Sequence, residues 1–292
     1  MGPGPVAFVS LPAPIPPFRA RVRGGSEPDQ YTRTVTAAHD LAEYSAIFGA
    51  GIAAGVINTV VGSGTLITFP TLLAFGYPPV LANVSNNIGL VPGNVTGAYG
   101  YRAELKGQRR RVLTLGSCSL LGGVLGAILL LHLPSSAFQD IVPVLIGLAL
   151  VLVVLQPKVG AWAAKRREQR GTVQREAGGP LLWGGVFAAG VYGGYFGAAQ
   201  GVLLMAMMGI AFTDSLQRIN GVKNILAGIV NGVAAALFIA LSHVSWTVAG
   251  LIAVGSTLGG LIGARVGRRL PPTALRAVIV CVGIAAIVKL LV

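Results

Sequence analysis

Long apolar runs separated by short polar segments dominate this chain. No charged side chain occurs in residues 44–101, 112–139, 177–213 or 224–264. A helical crossing of a bilayer needs about 20 apolar residues, so the runs hold several crossings. Eight apolar helical elements follow, at 45–76, 80–101, 112–131, 141–155, 181–209, 216–240, 246–264 and 274–291. Two of them are interrupted. The first carries Gly51, Gly55, Gly62, Gly64, Pro70 and Gly76, which a straight helix would avoid. It predicts two short helices around a break at Gly62-Ser63-Gly64-Thr65. The other breaks at Gly197-Ala198-Ala199-Gln200-Gly201.

The order of elements repeats. Leu121-Gly122-Gly123 matches Leu258-Gly259-Gly260 at a separation of 137 residues, and Gly126-Ala127 matches Gly263-Ala264. At the same separation Leu133-Pro134 matches Leu270-Pro271, Ser119 matches Ser256, and Asn87 and Asn94 match Asn224 and Asn231. The expected fold is an all-α polytopic membrane protein of two homologous repeats. Each repeat has a broken, re-entrant helical element plus three transmembrane helices. The small Gly122, Gly123 and Gly126 set reads as close helix packing.

Charge bears on orientation. In the first repeat the basic loop, Arg102 to Arg111, follows the second element; in the second repeat the equivalent loop near His243 is neutral and the next turn carries Arg265, Arg268 and Arg269. Positive loops face the cytoplasm, so the repeats are expected to be inverted. Inversion needs an odd number of crossings per repeat, which a re-entrant hairpin supplies. The alternative is eight full spans in parallel repeats, which leaves Arg265 to Arg269 on the wrong side.

Composition agrees with a membrane protein. Only 11% of the residues are charged, against about 25% in a soluble domain. The net charge of +13 sits mainly in the segments between apolar runs, and no aromatic residues interleave with it, so no nucleic-acid partner is expected. Cys118 and Cys281 lie inside apolar runs without ligand spacing, and neither HExxH nor CxxC is present. No metal and no cofactor is expected. The domain reading is a Pro-rich disordered tail at 1–44 without a cleaved leader, repeat one at 45–157, a basic cytoplasmic linker at 158–180 and repeat two at 181–292.

The candidate chemistry lies at the breaks. Broken helices in inverted-repeat transporters point their termini at a midplane substrate, and exposed N–H groups at a helix start attract anions. The candidate substrate-binding residues are Gly62, Ser63, Gly64, Thr65, Asn86, Asn87, Gly197, Gln200, Gly201, Asn220, Lys223 and Asn224. Lys223 lies two turns inside an apolar span, where a bare cation costs several kcal/mol. Its partner is an anionic substrate, Asp214 near the span's end, or the headgroup layer reached by snorkelling. The asparagines either line a path or tie helices together. No catalytic residue is assigned.

These features resemble the sulfite exporter TauE/SafE family over roughly Ala46 to Val292. The resemblance rests on VVGSGTLITFPTLLAFG before and after Pro70, GYFGAAQGVLL from Gly194 to Leu204, LQRINGVKN from Leu216 to Asn224, and the paired GGxxGA turns. The chain departs from the family's run of glycines at both breaks, with Ser63 and Thr65 in one and Ala198, Ala199 and Gln200 in the other. The resemblance implies a permease for a small anion, sulfite or an organosulfonate, in a bacterial inner membrane. The expected partners are that anion and the lipid bilayer, with a homodimer left open. A non-transporting assembly role and an intramembrane enzyme are the other readings.

Overall fold

In the computed structural model, residues 30–169, 177–266 and 272–291 are described. They fall into two units, residues 1–40 and 41–292. All that follows concerns the second unit, apart from the first residues of the helix that begins at Gln30. The described residues form helices α1 (Gln30–Val60), α2 (Thr65–Ala74), α3 (Pro79–Gly100), α4 (Arg109–His132), α5 (Ser135–Gln169), α6 (Pro180–Tyr195), α7 (Gln200–Ala211), α8 (Leu216–Leu241), α9 (Trp246–Val266) and α10 (Pro272–Leu291), and no strand. This is an all-helical, multi-pass membrane protein. Five segments are long and apolar enough to cross a bilayer: Asp40–Val60, Arg109–His132, Ser135–Trp162, Leu216–Leu241 and Trp246–Val266. Leucines and valines such as Leu113, Leu121, Val144 and Val254 are exposed on their outer faces, as lipid-facing positions require.

Helix starts follow local chemistry. Pro79 and Pro180 open α3 and α6, where a missing N–H costs nothing. The Ser215 hydroxyl caps α8 by accepting from the Arg218 N–H at 3.4 Å. The breaks fall at 61–64 and 196–199, and both turn through left-handed backbone, with φ +90° at Gly62, +80° at Gly197 and +60° at Ala199.

Two helices run further than the apolar pattern alone shows. The first arm of the broken element is not short: α1 spans 31 residues and begins at Gln30, inside the stretch read as tail. Residues 1–29 lie outside the described residues. Helix α5 continues to Gln169, into the stretch read as linker. Its Ala, Lys, Arg, Glu and Gln content is strongly helix-forming, which polarity alone hides.

Each broken element doubles back. The Tyr77 hydroxyl, after α2, donates to Glu43 near the start of α1 at 2.7 Å. In the other, a Cβ on Gly185 in α6 would lie 2.6 Å from the Met207 sulfur in α7. Both are helical hairpins with their tips at the breaks.

Close backbone approaches give the helix directions. Along α3 and α9, Gly89 meets Ile252, Gly93 meets Ser256 and Gly100 meets Ala264, so the two run parallel. Helix α1 runs the same way: a Cβ on Gly255 would lie 2.6 Å from the Phe48 carbonyl, and one on Gly259 2.1 Å from that of Ile52. Helices α4 and α6 are likewise parallel, with Gly122 set against the Phe187 carbonyl and Gly126 against that of Val191. Helix α8 runs alongside α4, from Gly116 at Ile229 to Gly123 at Val233. It is antiparallel to α3, since Gly221 faces Tyr101 while the Ser85 hydroxyl accepts from the Ser245 N–H at 3.0 Å. So α1, α3 and α9 point one way and α4, α6 and α8 the other.

A polar staple ties the end of the molecule where α4 and α8 begin. Arg111 meets Asp214 at 2.6 Å, and Arg218 meets the same carboxylate at 3.0 Å. The Arg111 guanidinium lies 3.7 Å over the Phe212 ring. Gln108 donates to the Arg218 carbonyl at 3.2 Å, and Arg218 to that of Lys106 at 3.3 Å. Burial alone would raise the Asp214 carboxyl, but the Arg111 and Arg218 guanidiniums outweigh it and hold it below the ordinary carboxylate value. A depressed value means the stabilisation is complete above the ordinary carboxylate range and is lost as pH falls through the folded value. Asp214→Asn is therefore expected to lower stability by about 2 kcal/mol near neutral pH. The loss should shrink below about pH 4, which thermal unfolding in detergent across pH would read.

Candidate functional site

The two hairpin tips touch. The Gly201 N–H, in the first turn of α7, donates to the Gly62 carbonyl at 3.0 Å. A Cβ built on either glycine would lie 2.5 Å from the Cα of the other. The Lys223 side chain runs past this contact, its Cδ 3.2 Å from a Cβ on Gly62 and 3.0 Å from one on Gly201. The phenyl rings of Phe69 in α2 and Phe196 in the second break pack edge to face at 5.2 Å. Gly197 faces Thr65, whose hydroxyl would lie 3.8 Å from a Cβ there.

Lys223 is fully buried, at 0% exposure. Its Nζ donates to the carbonyls of Asn58 at 2.7 Å and Thr59 at 3.2 Å. These belong to the last turn of α1, where carbonyls lack an intrahelical donor and carry the negative end of the helix dipole. Asn220 and Asn224 donate to the same Thr59 carbonyl, at 3.0 and 3.5 Å. Three side chains of α8 thus clasp the end of α1. Lys223 does not snorkel to headgroups, and its partner is not Asp214, which Arg111 and Arg218 hold.

Asn83 is the counterpart of Asn220, and it donates to the Tyr195 carbonyl at the end of α6 at 3.0 Å. Asn86 is the counterpart of Lys223 but turns to the other arm. It accepts from the Thr68 hydroxyl and its amide lies 3.5 Å from the Thr65 hydroxyl. Asn94 accepts from the Asn58 amide.

The structure brings Gly62, Gly201 and Lys223 into one contact, with Asn220 and Asn224 beside it. Ser63, Gly64, Thr65, Gly197 and Gln200 form the adjoining tips, and Asn86 backs α2 through Thr65 and Thr68. Asn87 is buried, and its Oδ1 has no partner among the described residues. The Asn58 and Thr59 carbonyls, Thr68, Asn83 and Ala199 complete the arrangement, and sequence reasoning did not place them there.

Buried donors at the tips are unsatisfied, among them Ser63 and Gln200, with the Tyr195 hydroxyl at the end of α6. Ser63 is 1% exposed and Gln200 3% exposed, yet neither Ser63 Oγ nor Gln200 Nε2 has a hydrogen-bond partner among the described residues. Buried polar groups without partners are rare and call for a ligand or water. Each is the sequence neighbour of a glycine that touches the Lys223 stem. Both stand at helix starts, Ser63 before α2 and Gln200 opening α7, which favour negative charge. Among the described residues the buried charged side chains are Arg111 and Lys223, and no metal-binding cluster occurs.

The family model described as "Sulfite exporter TauE/SafE" matches residues 47–290. The chain is 26% identical to "Probable membrane transporter protein YfcA" of Escherichia coli (strain K12), over 84% of this chain and 88% of the relative. It is 25% identical to "Probable membrane transporter protein" of Haemophilus influenzae, over 80% and 89%. It is 27% identical to "Probable membrane transporter protein ORF9" of Sinorhizobium sp, over 84% and 91%. No solved structure matches the chain.

Proposed function

The chain belongs to the sulfite exporter TauE/SafE family of membrane transporters, and from that premise we propose that it is a secondary transporter for a small anion. The anion, sulfite or an organosulfonate, binds where the two hairpin tips meet. The observation that carries this reading is the pair of buried, unsatisfied donors, Ser63 Oγ and Gln200 Nε2, beside the buried Lys223.

The repeats are inverted. Hairpin α1–α2 runs with α3 and α9, hairpin α6–α7 with α4 and α8, and those two groups are opposed. In this reading α3, α4, α5, α8, α9 and α10 cross, and α1, although long and apolar enough to do so, ends at the Gly62 turn so that its hairpin returns on the side it entered, as the α6–α7 hairpin does. Arg102, Lys106, Arg109 and Arg110 then share an end with Arg218 and Arg265, which positive-inside charge puts in the cytoplasm of a bacterial inner-membrane protein. Transport proceeds by alternating access of the two repeats about the junction, and no residue acts as a catalyst.

Purified protein in proteoliposomes loaded with hydrogen sulfite, thiosulfate or methanesulfonate tests this. Efflux of at least one of these anions above protein-free liposomes is expected, with no movement of neutral or cationic solutes of similar size. Absence of any anion efflux from folded protein would reject the reading.

A further inference from the structure

The charge around the junction sets the charge of what it carries. Four helix ends converge there. Helices α1 and α6 end in carbonyls at Val60 and Tyr195, and α2 and α7 begin with N–H groups at Thr65 and Gln200. Each helix end is worth about half an elementary charge, negative at carbonyl ends and positive at N–H ends. Two of each sign cancel. Beyond the helix ends, the buried charged side chains among the described residues are Lys223, which lies against the tips, and Arg111, which Asp214 holds in the staple.

Lys223 is also only partly committed. An ammonium has three N–H donors, and two go to the Asn58 and Thr59 carbonyls. The third has no partner among the described residues. The unsatisfied donors at the junction are thus one N–H from a cation, the Gln200 amide, and the Ser63 and Tyr195 hydroxyls, all neutral except the first. The counterpart of Lys223 in the other repeat is Asn86, which is uncharged and bound to Thr65 and Thr68. A second negative charge would find no second cation, and an uncompensated charge at membrane depth costs several kcal/mol.

Resting on the anion-transport reading, we infer that the transporter selects monoanions: hydrogen sulfite or a sulfonate passes, and sulfite or sulfate as a dianion does not. A single Lys223 neutralises the cargo, so the loaded site carries no net charge when it changes access.

Methanesulfonate and sulfate are the probes. They are nearly the same tetrahedron, with a methyl group in place of one oxygen, and they differ by one charge. Counterflow is measured in proteoliposomes of the full chain, with hydrogen sulfite followed across pH as a third arm. Methanesulfonate flux is expected to exceed sulfate flux at least tenfold. Hydrogen sulfite flux should fall by about tenfold per pH unit above its ionisation, as the monoanion disappears, while methanesulfonate flux stays level. The level methanesulfonate trace separates titration of the cargo from titration of the protein. Sulfate moving as fast as methanesulfonate, or sulfite flux that does not fall with pH, would overturn the charge rule and leave anion transport standing. No flux of any of the three would instead overturn the transport reading.

Discussion

Gly62→Ala is expected to cost the protein about 4 kcal/mol, enough to remove most folded material from a detergent extract. Two independent terms add. The backbone there has φ +90°, a region in which an L-side chain is strained. The new Cβ would also lie 2.5 Å from the Gly201 Cα, and that backbone cannot swing aside as a flexible side chain could. Gly201→Ala carries the second term without the first, so it should be milder in stability, about 2 kcal/mol, but should still abolish flux by forcing the tips apart. Gly232→Ala in α8 is the control, since nothing lies within 4 Å of its added Cβ. It is expected to be neutral or slightly stabilising, because alanine is the better helix former. Thermal unfolding of the three variants in parallel checks the ordering. Equal behaviour of Gly62→Ala and Gly232→Ala would mean that the tips do not touch in the membrane.

Lys223→Gln is expected to lower anion flux about 100-fold while leaving the protein folded. The neutral amide can still donate to the Asn58 or Thr59 carbonyl, so the end of α1 keeps a partner. What is lost is the positive charge and the third donor. Lys223→Met should behave differently, losing stability as well as flux, because the Asn58 carbonyl would lose its side-chain donor and the Thr59 carbonyl would keep only Asn220 and Asn224. Lys223→Arg should not restore flux: the stem lies 3.0–3.2 Å from the Cβ positions of Gly62 and Gly201, and the planar guanidinium is wider than an ammonium. Flux normalised to the folded fraction separates the three. Unchanged flux in Lys223→Gln would make Lys223 a cap on α1 and nothing more.

Much of the layout was legible in the apolar pattern. The breaks stood out because Gly62, Gly64 and Gly201 interrupt runs that otherwise read as helix. The buried cation stood out because Lys223 sits in an apolar span. The doubling back of α1 and α2 was legible only indirectly, through the charge of the loops. The contact that carries it, Tyr77 to Glu43, joins residues with no distinguishing pattern. The partners of Lys223 were illegible for a plainer reason. They are the carbonyls of Asn58 and Thr59, and a main-chain carbonyl has no signature in the sequence. Its availability depends on where α1 stops, and that is decided by the Gly62 turn. Ala199 at φ +60° was hidden as well, because alanine seldom signals a left-handed turn. The full extent of α1 and α5 was hidden because polar, helix-forming stretches carry no apolar signal when hydropathy alone is followed.

Substrate protection at the tips tests the central claim most directly. In a background with Cys118 and Cys281 changed to alanine, Ser63→Cys and Gln200→Cys would each be labelled in proteoliposomes with a small water-soluble thiol reagent, with and without the transported anion. The anion is expected to slow labelling at both positions, at the same concentration that saturates flux. Labelling of both cysteines at rates the anion does not change, in protein that still transports it, would contradict a site between the hairpin tips.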